Sequence, residues 1–200
     1  LAARNRSAED AVCFLGGGAY DHFIPSVVDA VASRSEFYTA YTPYQAEASQ
    51  GSLQAFFEFQ TLISQLTGLP VANASLYEGG SAVAEAVFMA VTSTQRHNKV
   101  LIAESVHPEY RQTLSTYVAN LEAQPQVLLT PDGYLNPDDL KRAIDDQTSC
   151  VVVQHPNFFG SLEEVEALAA IARAKGALFI VSFDPISLGE LKRPGDYGED

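Results

Sequence analysis

The sequence predicts an α/β protein built on a parallel sheet with helices on both faces, and three observations predict it. Strand-like and helix-like segments alternate from Gln50 onward. The strand-like segments are continuous Val/Ile/Leu runs rather than apolar/polar alternations, as expected of strands buried on both sides. Local capping chemistry also marks several helix boundaries.

The first element is a helix near 50–67 (QGSLQAFFEFQTLISQLT), ended by Gly68, a residue suited to the left-handed turn after a helix. A second helix follows Gly79-Gly80 and runs from about Ser81 to Gln95; AVAEAVFMAV is apolar almost all round, which predicts burial on most sides. KVLIAE (99–104) reads as a strand, and a helix follows from Pro108 to about Leu121. Residues 127–129 (VLL) give a second strand, and Asn136 caps a helix that Pro137 begins. CVVVQ (150–154) is the third strand, a helix at 162–175 closes at Gly176, and ALFIVSF (177–183) is the fourth. Residues 1–48 fall outside this repeat. They read as a leading arm with a Gly16-Gly17-Gly18 turn, a short helix after Pro25 and an aromatic strip, while 49–200 form the first part of a large domain.

Composition narrows the function. With 46% hydrophobic and 18% charged residues, 200 residues can bury a substantial core. A formal charge of −13 opposes binding to nucleic acid or to an anionic membrane surface. Cys13 and Cys150 are isolated and show no metal-type Cys/His spacing, so free thiols in a reducing, cytoplasmic setting are expected and no metal site is. No stretch approaches the roughly 18 consecutive apolar residues of a membrane-spanning helix. The chain lacks an initiator Met and stops just after a strand and a turn, and both ends read as cut from a longer protein.

The most unusual stretch is FYTAYTPYQAEASQG (37–51). Pro43 removes a backbone donor and restrains its neighbour, so an extended or turn-rich strip is predicted instead of a continuous helix. Tyr41 and Tyr44 offer broad apolar faces tipped with hydroxyls, suited to a half-wet cleft or interface; a loop folded over the chain's own core is the alternative.

In open parallel sheets ligands bind at the carboxyl ends of the strands, which directs attention to the loops after 104, 154 and 183. His107 stands at a helix entrance, where it could stack on a planar ligand or simply neighbour a cap. The loop from Gln154 to Gly160 combines amides with turn-making residues. Asp184 follows the last strand, where a carboxylate could pair with a protonated ring nitrogen. Tyr77-Glu78-Gly79-Gly80-Ser81 precedes the most apolar helix, either as an anion cradle or as an ordinary helix start capped by Ser81. A His, an Asp, an anion cradle and an aromatic strip on one sheet edge match the layout of pyridoxal-phosphate enzymes. Their Schiff-base lysine is missing: Lys99, Lys141, Lys175 and Lys192 fall at a predicted strand start, in helices and in a surface loop.

The segments FLGGGAYDHFIPSVV (14–28), SRSEFYTAYTPYQAEASQGSLQAFFEFQ (33–60), TGLPVANASLYEGGSAVAEA (67–86), VHPEYR (106–111), VVQHPNFFG (152–160) and GALFIVSFDPISLGELKRPGDYG (176–198) resemble the glycine cleavage system P-protein family in its N-terminal, alpha-subunit form. The resemblance spans nearly the whole chain. It implies a fold-type I pyridoxal-phosphate transferase architecture, and a glycine dehydrogenase (decarboxylating), EC 1.4.4.2, in which glycine loses CO2 and its aminomethyl group passes to the lipoyl arm of H-protein. It implies an alpha subunit paired with a homologous beta subunit, as α2β2, with the beta subunit carrying the pyridoxal-phosphate lysine. On this resemblance Tyr41, Thr42, Tyr44 and Gln45 line a shared active-site mouth, while Gly79, Gly80, Ser81, His107 and Asp184 occupy vestigial cofactor-site positions. The chain departs from the family pattern in having Phe183-Asp184-Pro185-Ile186 where the family text is closer to VNPLSLG, and in its YEGGSA loop. The alternatives are a purely structural partner subunit and a self-sufficient pyridoxal-phosphate enzyme whose lysine lies further along the polypeptide. Arg111, Lys192 and Arg193 are candidates, by charge, for contact with H-protein.

Overall fold

A computed structural model describes residues 4, 12 and 22–197, which fall into two compact units, 1–44 and 45–200. In the first, Pro25 leads into α1 (Ser26–Ala32), as its fixed φ favours, and a four-residue helix α2 (Ser35–Tyr38) follows. The chain then leaves helical geometry before Tyr41, as Pro43 predicts. The Gly16–Gly18 turn and Cys13 lie outside the described residues.

The second unit opens with α3 (Gln50–Thr67), which ends at Gly68 with φ 73°. Then come α4 (Gly79–Thr94), β1 (Lys99–Ala103), α5 (Pro108–Tyr117), β2 (Gln124–Leu128), α6 (Pro137–Ala143), β3 (Thr148–Gln154), α7 (Val165–Ala174) and β4 (Leu178–Ser182). All strand pairs are parallel, in the order β2-β1-β3-β4. Parallel sheets take right-handed crossovers, which for this strand order put α5 on one face and α6 and α7 on the other; α4 packs beside α5, and α6 beside α7.

The core follows from the sequence pattern. Val100–Ala103 and Cys150–Val153 are essentially inaccessible, because helices cover both faces of these two central strands. α4 contributes Val83, Ala84, Val87, Ala90 and Val91, a stripe at helical spacing. α7 contributes Val165, Leu168, Ala169 and Ala172. Pro125 sits in β2, an edge strand, where its missing N–H costs no central ladder bond.

Four expectations need correction. α4 begins at Gly79 and is capped by Glu78, not by Ser81, because the Glu78 carboxylate reaches forward over the two glycines to the free N–H groups of the first turn. Burial of α4 is one-sided: Met89 is 65% exposed. α5 stops at Tyr117 instead of continuing to Leu121, because Leu121 N–H turns back to the Val118 carbonyl (2.8 Å). α7 starts at Val165 instead of 162, because Glu163 N–H is turned to His155 Nδ1 (3.1 Å) and its carbonyl accepts from Val165 N–H (2.9 Å), a tighter turn than a helix makes. Among the described residues no helix is long and apolar enough to cross a membrane, and no cluster of His, Cys, Asp or Glu could hold a metal ion.

Candidate functional site

β1 and β3 lie side by side, yet the chain leaves β1 toward β2 and β3 toward β4. The carboxyl ends of these two strands are therefore the crevice position at which doubly wound sheets bind ligands. Three connections hold its rim. The Gln154 side-chain oxygen accepts from the His107 backbone N–H at 2.9 Å, Phe158 N–H donates to the Ser105 carbonyl at 2.9 Å, and His155 N–H donates to the Ser182 carbonyl at 2.9 Å.

Beneath the rim lies a buried polar cluster centred on Glu163, which is 4% exposed. Its carboxylate accepts from Ser105 Oγ (2.7 Å), Asn157 Nδ2 (2.8 Å) and Leu135 N–H (2.8 Å). Glu163 N–H in turn donates to His155 Nδ1 at 3.1 Å, so the proton of the neutral ring sits on Nε2. Burial pulls the His155 pKa below the ordinary imidazole value, while the nearby Glu163 charge raises it in part. Sequence reasoning missed Glu163, whose partners are 58 and 28 residues away.

His107 is buried and is itself the N-cap of α5, its Nδ1 accepting from Glu109 N–H at 3.2 Å. Its ring stacks on Tyr110, with centroids 4.7 Å apart and planes at 23°, and Phe158 meets it nearly perpendicular at 4.9 Å. Tyr110 also lies over Gly79, where any side chain would overlap its hydroxyl. Gly79, Gly80, Ser81 and His107 are thus drawn to one place by Tyr110, a residue sequence reasoning did not single out. Asp184 stands apart in role: its Oδ1 accepts from Ile186 N–H at 2.9 Å and caps the 3-10 turn Pro185–Gly189.

At the start of α4 the Glu78 carboxylate accepts from Gly80 N–H (2.5 Å), Ser81 N–H (2.6 Å) and the Ser81 hydroxyl. The Ser81 hydroxyl foremost, then Ser81 N–H, hold its carboxyl below the ordinary glutamate value against an opposing effect of burial, with a lesser contribution from Gly80 N–H. The anion position of this helix is already filled by the chain's own charge. Each of the four lysines is paired elsewhere: Lys99 with Asp145 (2.7 Å), Lys141 with Asp138 (2.9 Å), Lys175 with Asp146 (3.5 Å) and Lys192 with Glu166 (2.6 Å). Within residues 1–200 the amino end of α4 is thus held by a carboxylate, and each lysine has a carboxylate partner of its own.

The comparisons with known proteins decide the family. A model of the glycine cleavage system P-protein family matches residues 1–200. The chain belongs to the glycine cleavage system P-protein family. It is 53% identical over its whole length to a probable glycine dehydrogenase (decarboxylating) subunit 1 from Carboxydothermus hydrogenoformans, covering 45% of that protein. A crystal structure of glycine decarboxylase (P-protein) of the glycine cleavage system, in inhibitor-bound form, superposes with a TM-score of 0.89 at 48% identity, over 100% of this chain and 44% of that one. The chain therefore spans about half the length of the P-protein relatives it matches. A rice (Oryza sativa) protein, TDC with PLP and tryptamine, shares the fold at 14% identity and a TM-score of 0.63, over 78% of this chain and 40% of its own. The fold-type I expectation is met.

The aromatic strip straddles the boundary of the two compact units. Tyr41 (85% exposed) and Tyr44 (84% exposed) belong to the first, together with exposed Thr42, and Gln45 opens the second. Tyr44 N–H donates to the Thr42 carbonyl at 2.8 Å, and the Gln45 carbonyl accepts from Ala48 and Ser49 N–H, both at 3.1 Å, so the strip turns tightly on either side of Tyr44. The basic residues singled out by charge have partners within the chain. Arg111 Nε donates to the Val106 carbonyl at 3.1 Å, and Arg193 holds Asp196 (2.8 Å) and the Gln65 carbonyl (3.3 Å).

Proposed function

We propose that this chain is part of the N-terminal, alpha subunit of a two-subunit glycine decarboxylase, shaping an active site whose pyridoxal-phosphate lysine belongs to a homologous beta subunit. One observation carries the reading: at the amino end of α4, where fold-type I enzymes hold their cofactor phosphate, Glu78 fills the anion position. The complex decarboxylates glycine and hands the aminomethyl group to the lipoyl arm of H-protein. It assembles as α2β2 in the cytoplasm.

On this reading Tyr41, Thr42, Tyr44 and Gln45 face the shared mouth. Tyrosine supplies a rigid apolar wall with a hydroxyl at its end, which suits a site admitting a small zwitterion and a long apolar arm. The Gln45 amide adds a donor and an acceptor at fixed separation. Gly79, Gly80, Ser81 and His107 hold the form of a cofactor site without its use, and Asp184 serves as a turn cap.

Tyr44→Phe in the reconstituted two-subunit complex tests the strip. Loss of one hydrogen bond to substrate, about 1 kcal/mol, raises the KM for glycine roughly 5-fold with assembly intact. Unchanged turnover and unchanged glycine affinity assign the strip to packing and favour a purely structural subunit. Borohydride reduction followed by peptide mapping locates the lysine: pyridoxyl-lysine is expected on the partner, and finding it on this polypeptide removes the non-covalent role.

A further inference from the structure

We propose that Glu78 is a built-in anion that closes the phosphate cradle of this chain, so that the amino end of α4 admits no cofactor phosphate. The free N–H groups of a helix's first turn favour negative charge, and a phosphate takes them as hydrogen-bond donors. Here Gly80 N–H, Ser81 N–H and the Ser81 hydroxyl all point at one carboxylate of the same chain. Glu78 reaches them because its backbone is extended (φ −163°, ψ 174°) and the glycines after it carry no side chain in the way. A second anion at the same donors would meet the carboxylate's like charge.

The surrounding side chains point the same way. Tyr110 covers Gly79, and a methyl group at Gly80 would lie 2.9 Å from the Glu78 carboxylate and 3.0 Å from Thr113 Oγ1, so the loop is already packed against α5. The stacking surface that His107 would give a planar ring is used by Tyr110. Anion position and ring face are thus both occupied from within, by residues on two different elements. The low pKa direction of Glu78 agrees with a carboxylate that stays charged at these donors. The inference deepens the proposed function, and rests on it in taking the excluded anion to be a cofactor phosphate.

The test is anion rescue in the full-length polypeptide, assembled with its partner and saturated with pyridoxal phosphate so that the partner's site is filled. In Glu78→Ala the melting temperature falls on the order of 1–3 °C, as for loss of a helix cap, and titration with inorganic phosphate at constant ionic strength restores it saturably. The unmodified complex shows no phosphate-specific shift. Crystals of Glu78→Ala grown in phosphate carry the ion at Gly80 and Ser81 N–H. Glu78→Gln keeps the size and one acceptor oxygen, so it decides the matter if the alanine variant does not fold, with a smaller loss and weaker rescue expected. A saturable phosphate response at these amides in the unmodified complex, or no rescue in either variant, overturns the proposal. Borohydride mapping reports separately on which polypeptide holds the lysine, so failure of the closure and failure of the functional reading are told apart.

Discussion

Glu163 carries the structural weight of the crevice at the residue scale, since one buried carboxylate ties together the ends of β1 and β3 and the segment before α6. Its three donors are neutral; Asn157 Nδ2 also donates to the Gly133 carbonyl (2.7 Å), while Ser105 Oγ and Leu135 N–H depend on the carboxylate. Glu163→Ala would strand Ser105 Oγ and Leu135 N–H, at about 1–3 kcal/mol for each group that water does not reach. We expect a loss of at least ~2 kcal/mol, read as a lower urea midpoint at unchanged m-value; a loss below 1 kcal/mol would show that the cluster contributes no net stability. The neighbouring His155 adds a pH dependence with a definite sign. Its folded pKa lies below the ordinary 6.5, chiefly through burial, so the unfolded chain binds more protons between the two values. Its contribution is fully present above pH 6.5 and is lost as pH falls through the folded pKa, with a slope of at most about 1.4 kcal/mol per pH unit. Titration of the ring by NMR should give a value under 6.5 that drops further in Glu163→Gln, because the charge that raises it is gone; a rise would contradict the assignment of Glu163 as the raising group.

At the scale of elements, the carboxyl end of α3 is fixed by a close backbone approach. A side chain on Gly195, in the 3-10 turn Pro194–Asp196, would overlap the backbone of Gly68, and Arg193 bonds the Gln65 carbonyl one turn earlier. Neither backbone can yield as a flexible side chain would. Gly195→Ala should therefore cost about 1–3 kcal/mol and raise hydrogen exchange in the last turn of α3 while leaving β3 protected; equal exchange in both would mean that the contact does not anchor the helix. Such pairings explain what sequence could and could not convey. β1, β3 and β4 were legible to within two residues because burial on both faces demands an unbroken apolar run, and Gly68 and Asn136 announced their caps by residue type. The start of α4 was not legible, since glutamate is an uncommon N-cap and succeeds here only because two glycines follow it. The start of α7 was hidden for another reason, because Glu163 answers to residues distant in sequence. Of the crevice, His107 and the Gly79–Ser81 loop were readable from their places at a strand end and a helix start, whereas Tyr110, which joins them, looked like any helical tyrosine.

The exposed apolar surface of the second unit is the main whole-molecule feature left over. α3 runs for 18 residues with only Thr67 buried, and Phe57 (70%) and Leu62 (59%) stand in solvent. β4 has the composition of a central strand, LFIVS, but pairs on one side only, and a hollow of about 540 Å³ lined by Met89, Leu178 and Ile180 runs beside it. Isolated exposed leucines are ordinary, but a helix face and a strand edge that are both apolar form a surface that water does not favour. An unpaired strand edge adds unsatisfied N–H and C=O groups that template association. The net charge of −13 opposes this by mutual repulsion, and the repulsion weakens as salt screens it. The two effects separate by ionic strength. Expressed as these 200 residues alone, the chain should bind an apolar fluorescent dye and self-associate increasingly as salt rises from 0.05 to roughly 0.5 M, where the screening length drops below about 5 Å. The full-length polypeptide with its partner, given the shorter chain's 45% coverage of its relatives, should bind several-fold less dye per residue and show little salt-dependent association. Light scattering and dye fluorescence on both samples provide the check. Equal dye binding per residue would mean that the α3 face and the β4 edge stay open in the assembled protein, and would leave them without a covering element.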